Sequence, residues 1–338
     1  MSYLMMDLRS TEVAADEAEW LRASCVGGLI LFSRNYEDKA QLARLIRAVR
    51  ELRPDILIAV DHEGGRVQRF RDEFAQIPSM RSLLQKAGGD IEQAKAWATE
   101  LGWLMAAELL SLGIDLSFAP VLDKDAGSDV IGSRAFSDKV EDIIPLAQAW
   151  IEGMNQAGMK AVGKHFPGHG SVKADSHVAI PVDERDFDTL WNDDARPFER
   201  LAKSGHLAGL MPAHVIYPKV DQHPAGFSKV WLQNIVRQKM SFQGTLFSDD
   251  LSMQGASVAG GYAERLSSAI NAGCDVLLLC NCAEALAEVI PNYPWPKHPP
   301  TAPASLLKGE NLWQDFAQTH SARWQAARDL CHTFEAHA

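Results

Sequence analysis

Short apolar runs recur along the chain, separated by longer amphipathic stretches. The runs are Tyr3 to Leu8, Val26 to Phe32, Ile56 to Val60, Ile114 to Pro120, Met159 to Val162, Leu207 to Met211, Gly244 to Phe247 and Cys274 to Leu279. They are brief and show little alternation, which is the pattern of strands covered on both faces. Ile114 to Pro120, which carries Asp115 and Ser117, is the least regular of them. Helical periodicity fills the intervals: Glu12 to Ser24, Lys39 to Leu52, Ile91 to Leu112, Ile143 to Ala157, Trp191 to Lys203, Val230 to Lys239 and Ala259 to Ala272. Several of these helices run into a glycine just before the next strand, at Gly113, Gly158 and Gly273, where a left-handed residue would cap the last turn.

Strands alternating with helices imply a parallel sheet, and eight strands close most naturally into a (β/α)8 TIM barrel. The competing architecture, a doubly wound sheet, usually carries a glycine-rich loop after its first strand, whereas Leu8-Arg9-Ser10 stands here. The expected organisation is a barrel over 1–290, a flexible proline-rich connector over 291–303, and C-terminal helices over 304–338 packed on the barrel as a last layer.

Composition narrows the class. The 338 residues are 46% hydrophobic and 23% charged, with a net charge of -11 that leaves no basic field for nucleic acid. No apolar run approaches the roughly 18 residues that suggest a membrane span. Met1 to Arg9 lacks a basic segment followed by an apolar one, so a cytoplasmic protein and no membrane partner are expected. A monomer is the default. The five cysteines form no zinc-type pairing, and Cys280 and Cys282 are expected to be reduced thiols at a strand end.

In a parallel barrel, chemistry belongs at the carboxyl ends of the strands. Polar clusters fall there: Asp61-His62-Glu63-Gly64-Gly65-Arg66-Val67-Gln68-Arg69, Asp123 and the loop to Gly132-Ser133-Arg134, Lys164-His165, Pro212-Ala213-His214, and Ser248-Asp249-Asp250. The densest stretch is Lys164 to His177, read as a strand that ends near Val162 and spills into a loop. His165 and His169 have the spacing of a helical zinc pair, but Pro167-Gly168 between them excludes that helix, so no metal is expected. Asp175 and His177, two apart in the loop, suit an acid/base dyad in which the carboxylate fixes the imidazole tautomer; a loop ion pair without a role is the competing reading. The nucleophile candidate is Asp249, with Asp250 its rival, since neighbours on a strand point to opposite faces. Asp61, Arg69, Arg134, Lys164 and His165 supply donors and acceptors of the kind that hold sugar hydroxyls.

These motifs resemble those of the family 3 glycoside hydrolases. Asp61-His-Glu-Gly-Gly-Arg-Val-Gln-Arg-Phe, Gly132-Ser-Arg-Ala-Phe, Lys164-His-Phe-Pro-Gly-His-Gly with Asp175-Ser-His177, and Phe247-Ser-Asp-Asp-Leu-Ser-Met follow the family order between about Leu4 and Cys282. The nearer resemblance is to the bacterial β-N-acetylglucosaminidases of peptidoglycan recycling. It implies Asp249 as nucleophile, His177 as general acid/base with Asp175 orienting it, and Asp61, Arg69, Arg134, Lys164 and His165 as the N-acetylglucosamine subsite. It also implies retention of the β configuration, no cofactor, and a small-molecule substrate, N-acetylglucosaminyl-1,6-anhydromuramic acid with or without its peptide. A phosphorylase on the same barrel, a β-glucosidase and a sugar sensor without catalysis are the alternatives.

Overall fold

The computed structural model describes residues 2–172, 181–310, 312–313 and 321–335. Eight parallel strands form its centre: β1 (Leu4–Met6), β2 (Val26–Leu31), β3 (Leu57–Val60), β6 (Leu116–Ser117), β7 (Val162–Phe166), β8 (Gly209–Pro212), β11 (Thr245–Leu246) and β12 (Leu277–Leu278). Two antiparallel hairpins are added, β4 (His62–Gly64) with β5 (Val67–Gln68), and β9 (Ile216–Tyr217) with β10 (Asp221–Pro224).

The parallel strands pair as two sheets, in the orders β12-β1-β2-β3-β6 and β11-β8-β7, where one continuous barrel was expected. At the two seams the regular ladder gives way to the isolated bridges Val121 with Lys164 and Phe247 with Val276, flanked by backbone hydrogen bonds such as Val162 N to the Ala119 carbonyl and Ser248 N to the Val276 carbonyl. One cause is local: Pro120, at the first seam, has no N–H to give to a ladder, though its carbonyl still accepts from Lys164 N at 3.3 Å.

Alternation along the strands divides the core. Met5, Ile30, Leu57, Ala59, Leu116, Phe118, Val162, Met211, Phe247 and Leu278 form an inner cluster, with the Phe118 and Phe247 rings meeting edge-on at 5.1 Å. Their neighbours Leu4, Met6, Leu29, Leu31, Ile58 and Val60 face the other way, into the larger core shared with the helices.

The helices form where their periodicity places them. Lys39–Leu52 buries Leu42, Leu45, Ile46 and Val49, and Asp38 caps it by accepting from Gln41 N at 2.6 Å. Ile91–Ser111 and Val140–Ala157 pack against each other at close range: a Cβ on Gly153 would stand 2.1 Å from the Thr99 carbonyl. The second of these stops at Gly158, whose φ of 102° is the left-handed cap anticipated there. The single helix expected over Trp191 to Lys203 is instead Phe187–Asn192 and Arg196–Lys203, because Pro197, lacking an N–H, is accommodated only in the first turn of a helix. Helices Met80–Lys86 and Ala283–Asn292 were not anticipated.

The helix expected to begin at Ala304 is, at its start, a short 3-10 turn, Ala304–Leu307, followed by Lys308-Gly309; among the described residues helix is next seen at Ser321–Glu335. Ala304 and Leu307 join the inner cluster, at the amino ends of the strands. Two buried carboxylates fasten this segment. Asp275 accepts from Ala302 N at 3.0 Å and pairs with Arg237 at 2.6 Å. Asp115 accepts from Gly309 N, Lys308 Nζ, Ile58 N and Arg50 Nη2 at 2.6 to 3.2 Å.

Replacing Asp115 leaves two cations and two backbone N–H groups without their acceptor. Asp115→Ala is expected to lower unfolding free energy by about 3 kcal/mol, measured by urea denaturation; a loss below about 0.5 kcal/mol would show that these contacts are dispensable.

Candidate active site

A cavity of about 590 Å³ opens at the carboxyl ends of the strands. Asp61, Arg69, Arg134, Lys164, His165 and Asp249, all expected in the site, line it, together with Glu63, Arg66, His169, Asp250 and the apolar Phe32, Met211 and Leu278. Asp175 and His177 lie outside the described residues.

The strand placement of Lys164 and His165 corrects the expectation of a strand ending near Val162. β7 starts there and continues through Lys164-His165-Phe166. Charged residues enter the sheet because each finds a partner. Lys164, 3% exposed, donates to Asp61 Oδ1 at 2.8 Å and pairs with Glu63 Oε1 at 2.7 Å. Arg134 closes on Glu63 with two parallel bonds of 2.8 Å, from Nε and Nη2, and Arg69 Nη2 reaches Asp61 Oδ2 at 3.1 Å.

This pairing sets the protonation of the acids. Burial opposes the charge on Asp61, but Lys164 and Arg69 outweigh it and hold the carboxyl well below the usual carboxylate range. In Glu63 burial is likewise overcome, by Arg134 and Lys164, and the carboxyl is brought down to about 2. Both acids are anions at neutral pH, so the cations around them keep fixed directions.

Glu63 did not emerge as a site residue from the sequence, although alternation could have found it: Asp61 and Glu63 share one side of the chain and His62 the other. His62 accordingly packs against Phe70 and Phe74, with centroid distances of 5.9 and 5.6 Å, and burial lowers its pKa to about 3.

Asp123 fixes the next pair. Its Oδ2 lies 2.7 Å from His165 Nδ1, and its two oxygens accept from the backbone N–H groups of His165 and His169 at 3.1 and 2.7 Å. Burial pushes the Asp123 carboxyl up, but His165 and these donors prevail and hold it down, so Asp123 is the acceptor and His165 Nδ1 carries the proton.

The Asp249 and Asp250 carboxylates differ in what each touches. Asp250 accepts from Ser252 N and Oγ at 3.0 and 2.8 Å and from Cys280 N at 3.1 Å. Ser248 Oγ accepts from Leu278 N at 3.0 Å, so residues 248 and 250 both tie the end of β11 to β12. Asp249 between them accepts a backbone bond from Asp250 N at 2.8 Å and otherwise faces the cavity. Beneath, the buried His214 donates from Nε2 to the Asp250 carbonyl at 3.2 Å, and burial keeps the ring neutral by lowering its pKa.

A polar cavity with planar bidentate donors, buried acids and one carboxylate held apart is suited to binding a polyol and attacking it. Comparison with known proteins gives the class. The family model of the glycosyl hydrolase family 3 N terminal domain matches residues 4–297. A beta-hexosaminidase of Shewanella frigidimarina is 53% identical over 330 residues, 98% of this chain and 97% of the relative. One from Tolumonas auensis is 50% identical over 335 residues, 99% of this chain and 98% of the relative. The crystal structure of NagZ from Neisseria gonorrhoeae in complex with N-trifluoroacetyl-D-glucosamine is 39% identical, has a TM-score of 0.90 and is matched over 98% of both chains. The chain belongs to glycosyl hydrolase family 3 and is a glycoside hydrolase with an α/β fold like that of NagZ.

Glu63→Gln removes the charge that orders Arg134 and Lys164. We expect KM for the cleaved glycoside to rise about tenfold, one lost charge-assisted hydrogen bond. A carboxyl lowered from 4.5 to about 2 adds stability that is full at neutral pH and is lost as pH falls through that interval. The acid-unfolding curve of the variant should therefore be flatter there than that of wild type. An unchanged KM with an unchanged acid curve would remove Glu63 from this role.

Proposed function

We propose that the chain is an exo-acting, retaining β-N-acetylglucosaminidase that removes the non-reducing terminal N-acetylglucosamine from N-acetylglucosaminyl-1,6-anhydromuramic acid and its peptides, in the cytoplasm, during cell-wall recycling. The observation that carries this reading is the placement of Asp249 on the same cavity as the Asp61, Glu63, Lys164, Arg69 and Arg134 cluster, while its rival Asp250, on the same cavity, is held by Ser252 and Cys280. The names carried by the relatives point the same way: beta-hexosaminidases, and a NagZ crystallised with an N-acylated glucosamine. Among the described residues no helix is long and apolar enough to cross a membrane.

In this reading the eight strands act as a (β/α)8 barrel over 1–290, with 291–303 the connector and 304–338 the covering C-terminal segment. The sugar sits with its hydroxyls on Asp61, Arg69, Arg134, Lys164 and His165. Asp249 attacks the anomeric carbon as the bond to the leaving oxygen breaks, and His177, oriented by Asp175, gives that oxygen its proton. The same imidazole then takes a proton from the water that displaces Asp249, restoring the β configuration. A histidine in this position is a cation when it donates and neutral when it accepts, so at neither step does it repel anionic groups on the aglycone. No cofactor enters these steps, and a monomer suffices for them.

The test is release of aryl alcohol from a chromogenic β-N-acetylglucosaminide beside the matching β-glucoside. Wild type should cleave the first and not the second, and Asp249→Ala should lose at least about 10³-fold in kcat, as expected when a covalent nucleophile is removed. Cleavage of neither substrate with the sugar still bound would replace the enzyme reading by a sugar sensor. Acceleration by phosphate with formation of sugar 1-phosphate would replace hydrolysis by phosphorolysis.

His177→Ala should slow substrates with poor leaving groups far more than activated aryl glycosides, because only the former need the proton. Equal losses on both classes would contradict the acid/base role.

A further inference from the structure

Among the described residues four lysine and arginine side chains line the cavity: Arg66, Arg69, Arg134 and Lys164. Three of them are engaged with the floor, Arg69 on Asp61, Arg134 on Glu63, and Lys164 on both acids. Arg66 differs. It stands at the turn of the β4–β5 hairpin, exposed at the mouth, and among the described residues no Asp or Glu forms an ion pair with it. Its guanidinium donates to the Val130 carbonyl, which also accepts from Arg134 Nη1 at 3.2 Å.

One loop carbonyl therefore links an inner arginine, at the floor of the cavity, to an outer one at its entrance. A guanidinium has five N–H donors in a fixed fork, and the bond to Val130 leaves Arg66 with donors for a second acceptor. Asp129, next to Val130, is exposed on the same rim and is the acid that a ligand would have to outcompete. The chain as a whole carries a net charge of -11, so an exposed arginine at the mouth, without an ion-pair partner among the described residues, is a local exception to its field.

We infer that Arg66 is a specificity-determining residue that receives a carboxylate of the leaving group as the glycoside enters. The inference rests on the proposed β-N-acetylglucosaminidase reading and deepens it: it concerns the aglycone, where that reading concerns the sugar. An anhydromuramyl leaving group can offer such a carboxylate from its lactyl ether or from the end of an attached peptide. Arg66 reads the charge, with bidentate geometry, and adds nothing to the bond-breaking step.

The experiment compares kcat/KM of wild type, Arg66→Ala and Arg66→Lys on four substrates. These are a neutral aryl β-N-acetylglucosaminide, N-acetylglucosaminyl-anhydromuramic acid, the same disaccharide with its lactyl carboxyl as a methylamide, and the peptide-bearing form. The preference for the lactyl acid over the neutral aryl glycoside should fall about tenfold in Arg66→Ala, mainly through KM, and recover in part in Arg66→Lys. The methylamide should behave as the neutral substrate if the lactyl group is the ligand; a loss confined to the peptide-bearing form assigns the peptide carboxylate instead. Preferences for the lactyl acid and for the peptide-bearing form that are both the same in Arg66→Ala and wild type overturn the inference. Should Arg66→Ala fail to fold, the wild-type preference for the acid must decline with added salt, and a salt-independent preference overturns the inference equally. Failure of the wild type on the neutral aryl glycoside would sink the underlying reading and is seen separately, in the same assay.

Discussion

Lys164 sits between two carboxylates in the interior of a sheet, and the site is arranged around that fact. An ammonium at 3% exposure is tolerable only when paired and hydrogen-bonded. Asp61 at 2.8 Å and Glu63 at 2.7 Å meet this need, and they do so because the chain turns back after β3 into the β4–β5 hairpin, which sets both acids beside β7. The acids then require further cations, which Arg69 and Arg134 supply from the end of the hairpin and from the loop after β6. Breaking any one member would strand a charge in the interior, at a cost of about 3 to 5 kcal/mol. The cluster is expensive for stability and useful for binding, since its donors are already oriented and already stripped of most of their water when a polyol arrives.

A second constraint distinguishes the two carboxylates that follow β11. Ser248 and Asp250 tie β11 to the backbone of β12 through their side chains, whereas the Asp249 carboxylate, on the cavity that both acids line, accepts from the Asp250 N–H. Asp123 does for β7 what these residues do for β11: it clamps the backbone N–H groups of His165 and His169 and one imidazole, so the chain leaving the sheet after Phe166 has a fixed course to His169. Structure and chemistry are divided between neighbours in sequence, one residue anchoring and the next presented.

Much of this could be read along the chain. Each of the eight apolar runs contributes to one of the eight parallel strands, most of them shorter than the run, with β7 displaced toward its carboxyl end, and polar residues at the strand ends gather on one cavity. The glycine stops at Gly158 and Gly273 are left-handed caps, with φ of 102° and 113°. What escaped was decided by pairing over long range. Nothing local says that Lys164 and His165 belong inside a strand, because their partners Asp61, Glu63 and Asp123 lie far away in sequence. Hydropathy therefore ended that strand too early, at the first charge. The segment around Ala304 was read as the start of a helix, yet its small apolar residues close the amino ends of the strands, held by Asp115 and Asp275. An apolar position that caps a core leaves the same mark in a sequence as one on a helix face.

The most direct test of the account is covalent trapping. A fluorinated N-acetylglucosaminyl fluoride, which slows breakdown of a glycosyl-enzyme more than its formation, is incubated with the full chain, and the protein is weighed and digested. The account predicts a mass increase of one glycosyl unit per chain, on the peptide that contains Asp249 and on that side chain. A label on Asp250, or turnover of the chromogenic substrate with no label formed under any condition, would contradict it.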